Sequence, residues 1–184
     1  MNPKLFMILV GCKPEGRHTE QHDIVFAIAN TIEETREELL AFWPEAKGRL
    51  HMDGWREVNS VDGYRIQVSE KPAASNIGHK LFFINLGGYR PGEFDEPHYK
   101  MLVVAQDLAE ASKKAKESAF YKHTGFTGAP SHIDDKYGVD VDDAYAVSDI
   151  LSDGVKSRFT LEILEATGLP EDELHLGYMP LYKI

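Results

Sequence analysis

The chain has a single cysteine in 184 residues, Cys12. That excludes an intramolecular disulfide and a multi-cysteine zinc cage, and it fits a reducing, cytoplasmic compartment. Long apolar runs are also missing, and no stretch approaches the roughly 18 residues of a membrane span. Positive charge is scarce: 20 Lys plus Arg stand against 30 Asp plus Glu, a formal net charge of -10. Such a field repels nucleic acid and anionic lipid surfaces. Small molecules and proteins, further copies of the chain included, are the partner classes left. What is present is ordinary for a soluble globular protein, with 42% hydrophobic and 27% charged residues. A chain of this size buries about 70% of its unfolded surface, enough for a core without staples.

The run Leu5 to Val10 before Gly11-Cys12 has the outline of a lipoprotein signal, but it is only six residues long, below the roughly 7 to 15 of a secretory apolar region. A repeat explains it better. Leu5-Phe6-Met7-Ile8-Leu9-Val10 returns as Leu81-Phe82-Phe83-Ile84-Asn85-Leu86, and both are expected to be strands. After a one-residue slip, Gly11-Cys12-Lys13-Pro14 matches Gly88-Tyr89-Arg90-Pro91; Glu20-x-His22 matches Glu96-x-His98; Ala41-Phe42-Trp43 matches Ala119-Phe120-Tyr121. Further on, His51, Asp53, Val58, Asp62 and Tyr64 meet His132, Asp134, Val139, Asp143 and Tyr145, five identities in sixteen ungapped positions.

Each copy reads as two strands around a long polar loop, then a helix, then two short strands. Thr31-x-x-Glu34 and Asp107-x-x-Glu110 are capping signals, and Pro44 stops the first helix. Asp62-Gly63 is a hairpin-turn signal. The expected fold is α+β: an internal duplication of a ββαβ(β) unit, with a mostly antiparallel sheet, helices on one face and a pseudo-two-fold relation. The first repeat spans 1–70 and the second 81–150. A C-terminal extension, 151–184, is expected to hold a helix over Phe159 to Ala166 and a strand over Leu174 to Tyr182, all in one compact body.

The strings LFMILVGCKPEGRHTEQHD, WREVNSVDGY, LFFINLGGYRPGEFDEPHYK and FYKHTGFTGAPSHIDDKYGVDVDD resemble the bacterial family known as domain of unknown function 1543, over roughly residues 4 to 150. The resemblance implies one or two copies of that domain and carries no activity, cofactor or catalytic residue with it.

Chemistry is concentrated in repeated pairs. Residues two apart on a strand point to the same side, so His51 with Asp53, and His132 with Asp134, each present an imidazole beside a carboxylate. If the repeats face each other, the two pairs could share a divalent metal such as zinc, manganese or iron; as architecture, they are hydrogen-bonded pins at strand ends. Glu20 with His22 and Glu96 with His98 form a second repeated pair at a loop mouth, where Glu could orient His as a base or simply close the loop. Tyr64 and Tyr145 are candidate walls of a ligand pocket or core packing. The segment His123 to Asp143 is rich in aspartate but lacks the calcium-loop pattern. Cys12 reads as a small buried apolar residue. With no separate nucleophile and no established metal motif, the sequence favours a small-ligand or protein-binding module over the alternative, a metal-dependent hydrolytic enzyme.

Overall fold

The computed structural model of the protein describes residues 3–71, 78–88, 94–117 and 140–184. The chain divides into two compact units, Met1–Ser75 with Ile150–Ile184, and Asn76–Asp149. In the first unit, Phe6, Ile8, Val10 and Cys12 alternate onto one buried face of β1 (Lys4–Cys12), as the two-residue period of a strand demands. β1 is paired antiparallel on one side with β2 (Gln21–Ala29) and on the other with β3 (His51–Glu57). A helix covers that face. A 3-10 turn, Glu33–Thr35, leads into α1 (Arg36–Phe42), and Ile32 and Leu39 pack into the core with Phe6, Ile8, Val10, Cys12, Val25 and Met52. Cys12 is fully buried, and burial raises its thiol above the ordinary value.

A second sheet in the same unit joins β4 (Ser60–Val61), β5 (Tyr64–Glu70) and β9 (Phe159–Glu165). The Asp62-Gly63 signal closes the β4–β5 hairpin, with both residues at positive φ, 53° and 80°. That is the two-residue turn whose twist suits antiparallel strands. The segment read as a helix, Phe159 to Ala166, is instead this strand. Its leucines and glutamates favour a helix in isolation, but the open edge of β5 offers seven paired positions from Tyr64↔Glu165 to Glu70↔Phe159, and tertiary pairing overrides so weak a local preference. The other expectation for the extension holds: β10 (His175–Pro180) lies at the edge of the first sheet, whose order is β10-β3-β1-β2.

The second unit is a three-stranded sheet, with β6 (Lys80–Gly87) between β7 (His98–Ala105) and β8 (Asp140–Ala146). Helix α2 (Leu108–Lys116) packs Ala111 and Ala115 on Phe82, Ile84, Leu86 and Val103. The Asp107 side chain accepts from the Glu110 amide at 2.9 Å, and the Glu110 carboxylate accepts from the Gln106 amide at 2.8 Å, so two otherwise orphaned donors are satisfied reciprocally. In the first unit Glu34 reaches back in the same way, to the Asn30 amide at 2.9 Å and to that of Thr31. All strand pairings described are antiparallel, so the fold is α+β with mostly antiparallel sheets. Among the described residues no helix is long and apolar enough to cross a membrane.

The two units share strand register. Gly11 lies opposite His22, and Gly87 opposite His98; Leu5 lies opposite Ile28, and Leu81 opposite Val104. Gly11 therefore corresponds to Gly87, and the one-residue slip to Gly88 is corrected. The third strand compares in the same way. β1 meets β3 as Gly11↔His51 and Val10↔Met52, then a bulge, then Leu9↔Gly54; β6 meets β8 as Gly87↔Asp140 and Leu86↔Val141, then a bulge, then Asn85↔Asp143. By strand partner and bulge, Asp140 and Asp142 therefore stand in the second unit where His51 and Asp53 stand in the first. The sequence match rested on five identities, whereas the fold aligns strands by partner and bulge. His132 and Asp134, like most of the segment from His123, lie outside the described residues.

Candidate functional site

The site in the first unit grows from one row of the sheet. His22, Gly11 and His51 sit directly opposite one another on β2, β1 and β3. In an antiparallel sheet such neighbours project to the same face, here the face that Val10 and Cys12 point away from. Because the middle residue is glycine, the space between the two imidazoles stays open. A Cβ at position 11 would lie 2.5 Å from both Asp53 Oδ2 and His51 Nε2, and 3.1 Å from His22.

Asp53 reaches that space because of the bulge. It is the extra residue of β3, left between Met52, opposite Val10, and Gly54, opposite Leu9. Bulges bend a strand and re-aim a side chain, and are frequent beside functional sites. Glu20 precedes the first residue of β2. Four side chains therefore converge. His51 Nε2 lies 3.1 Å from Glu20 Oε1 and 3.3 Å from Asp53 Oδ2; His22 Nε2 lies 3.2 Å from the same Asp53 oxygen and 3.8 Å from Glu20 Oε2.

Burial is graded across the cluster: the His51 side chain is 6% exposed, Asp53 25%, His22 41% and Glu20 46%. Despite the short distances, His51 Nε2 and Asp53 Oδ2 are shielded from solvent and make no aligned hydrogen bond. Buried polar atoms are nearly always satisfied, and leaving one without a partner costs about 1–3 kcal/mol. The deep end of the cluster is therefore polar, pre-formed and unsatisfied. Tyr178 walls it: the β10–β3 register shifts between Leu176 and Met179, and the Tyr178 ring packs against His51 with centroids 4.5 Å apart.

The second unit builds a related cluster on the same frame. Asp142 is the extra residue of the β8 bulge, between Val141 and Asp143. Its Oδ2 is 3.0 Å from His98 Nε2, and one ligand atom each from Glu96, His98 and Asp142 lies within 4.8 Å of the others. A Cβ at Gly87 would overlap Asp142 and stand 2.9 Å from Glu96 Oε1. This cluster is more open, with His98 37% and Asp142 36% exposed.

Of the residues expected from sequence, Glu20, His22, His51 and Asp53 come together in one unit, and Glu96 with His98 in the other. Tyr64 does not join them. It sits on β5 in the second sheet, opposite Glu165. Tyr145 is exposed on β8, its hydroxyl donating to Asp143 at 3.4 Å. Sequence reasoning missed Gly11 and Gly87 as floors of the two clusters, Asp142 as a site carboxylate, and Tyr178. A signal for Asp142 was present: Asp140-Val141-Asp142 repeats the polar, apolar, aspartate order of His51-Met52-Asp53.

A search of curated proteins returns no match. Among solved structures, the chain is similar to the crystal structure of a protein Il1583 from Idiomarina loihiensis, with TM-score 0.63 and 25% sequence identity, covering 98% of each chain. The likeness spans both units and the C-terminal strands. Residues 17–68, the stretch that holds Glu20, His22, His51 and Asp53, match the model of the family described as Domain of Unknown Function (DUF1543).

Proposed function

We propose that the protein is a small-ligand binding module of the bacterial cytoplasm, made by tandem duplication of a ββαβ unit, and that its ligand is cationic. One observation carries this reading: the carboxylates of Glu20 and Asp53 close around the imidazoles of His22 and His51, with His51 Nε2 and Asp53 Oδ2 buried and unsatisfied. A cation entering there completes atoms that the fold leaves without partners, and two carboxylates supply the countercharge. The acidic balance of the chain, at net charge -10, adds long-range attraction for such a ligand. The shared register of the two units supports duplication, and a single buried cysteine suits a reducing compartment.

The test is thermal unfolding of tag-free protein with and without zinc chloride, manganese chloride or spermidine. A bound cation stabilises by mass action, by about 2.7 kcal/mol at a hundredfold excess over Kd, so at least one probe is expected to raise Tm. Glu20→Gln with Asp53→Asn should remove that rise while the variant stays folded. If no probe moves Tm, or the double variant responds as the parent does, the reading is wrong.

A further inference from the structure

We infer that the second unit holds a divalent transition ion, of the manganese class, on Glu96, His98 and Asp142. This site stands apart from the cation-binding cluster of the first unit and does not depend on it.

Spacing comes first. One ligand atom each from Glu96, His98 and Asp142 lies within 4.8 Å of the other two, and among the described residues no other trio of His, Cys, Asp and Glu is gathered so closely. Atoms about 2.0–2.2 Å from one shared ion stand roughly 2.8–4.4 Å apart, from neighbouring to opposite positions. His98 Nε2 and Asp142 Oδ2, at 3.0 Å, already have the separation of neighbouring ligands. In the first unit a further imidazole, that of His51, stands 3.1 Å from Glu20 and 3.3 Å from Asp53. The second unit has an aspartate, Asp140, at that register position.

Charge comes second. Two carboxylates drawn together repel one another, and the trio stays net negative even when its one imidazole is protonated. A hydrogen bond between His98 and Asp142 leaves the Glu96 carboxylate uncompensated; a doubly charged ion neutralises both.

The backbone supplies an independent observation. Gly87 is not among the glycines at positive φ, so its conformation does not call for glycine. What the glycine provides is space. A Cβ there would overlap Asp142 and lie 2.9 Å from Glu96 Oε1. Asp142 reaches this place from the extra residue of the β8 bulge, a device that re-aims side chains beside functional sites. The end of β6 thus gives up a side chain where two carboxylates meet over its backbone.

The donor set then selects the ion. One imidazole nitrogen with two carboxylate oxygens suits manganese or iron, whereas magnesium and calcium take oxygen ligands. His98 and Asp142 are 37% and 36% exposed, so three protein ligands leave the remaining coordination positions to water, as in open metal sites.

The experiment is titration of the chelator-stripped, full-length protein with manganese chloride, read as loss of the paramagnetic resonance of free Mn²⁺. One equivalent should bind. Loss of an outer-shell partner alone weakens metal sites by about 10- to 100-fold, so His98→Ala should weaken Mn²⁺ binding by at least that much. Asp142→Asn does the same with a side chain of equal size, should His98→Ala not fold. Glu20→Gln with Asp53→Asn should leave the Mn²⁺ in place, and an excess of magnesium chloride of about tenfold should not displace it. Folded protein that leaves Mn²⁺ free overturns the inference, as does binding that His98→Ala and Asp142→Asn leave unchanged or that magnesium displaces. Binding lost with Glu20 and Asp53 but kept in His98→Ala overturns it too. Tests of the first unit read that unit alone in the His98→Ala background, so each reading can fail without the other.

Discussion

Gly11→Ala is the most direct perturbation of the site, because it adds three heavy-atom contacts and removes none. Gly11 is opposite His22 and His51 in an unbroken stretch of ladder and is not among the glycines at positive φ, so its backbone accepts alanine without strain. On backbone grounds alone the substitution should stabilise by about 0.4–1 kcal/mol. Space decides otherwise. The new methyl carbon meets Asp53 Oδ2 and His51 Nε2 at 2.5 Å each, a full ångström inside ordinary contact. Asp53 is exposed enough to swing away; His51, 6% exposed and backed by Tyr178, is not. Overpacking of this kind costs about 1–3 kcal/mol. The net expectation is a loss of about 1 kcal/mol, which lowers a urea midpoint by roughly 0.3–1 M, together with loss of cation binding. Gly154→Ala is the control, since nothing lies within 4 Å of its Cβ and its φ is not positive; it should gain a few tenths to about 1 kcal/mol. Should Gly11→Ala match or exceed the parent in urea and still bind cations, the glycine is not a floor and the site is not held as argued.

Asp107→Ala removes the acceptor of the Glu110 amide at the start of α2; it should lose about 1 kcal/mol in urea unfolding, and Asp107→Ser should recover most of it. Asp172 offers a pH test. Burial raises its carboxyl above the ordinary value, against the Asn59 amide, Arg56 and the Ser60 amide, which pull it down. The folded chain then holds that proton more tightly than the unfolded chain. Its contribution to stability is therefore present at low pH and lost as pH rises from the ordinary carboxylate value through the raised one. Asp172→Asn should flatten that fall; parallel stability curves for parent and variant across the acidic range would sink the assignment.

Much of the framework is legible in the sequence. Strands β1, β2, β6 and β7 are announced by apolar runs, the hairpin by Asp62-Gly63, and α2 by Asp107 and Glu110. The candidate residues Glu20, His22, His51 and Asp53 are found by repeated pairing. Correspondence across the third strand is not legible in the letters. His132-x-Asp134 copies the letters of His51-x-Asp53, but letters do not record which residue faces Gly87. That is set by the bulge opposite Leu86 and Asn85, and a bulge leaves no fixed sequence mark beyond an extra residue. The β9 segment fails for a different reason. Its alternation of Phe159, Leu161 and Ile163 competes with a helical reading of the same residues, and only the free edge of β5 decides between them.

The comparison between units separates architecture from chemistry. Both keep a glycine at the end of the central strand, a histidine opposite it, a glutamate two residues before that histidine, and an aspartate at the bulge. A purely structural pin requires none of the openness that the glycine provides; a side chain at that place would fill the sheet surface and bury more apolar area. The glycine has a physical reason only if the flanking side chains must approach one another across it. In the second unit His98 and Asp142 do so as a pair, 3.0 Å apart, with side chains 37% and 36% exposed. In the first, His51 is buried against the Tyr178 ring and its Nε2 is left with no aligned partner. The same frame thus gives a paired cluster in one unit and one with unsatisfied atoms in the other, and the difference comes from the third-strand histidine, buried against Tyr178 of the C-terminal strand.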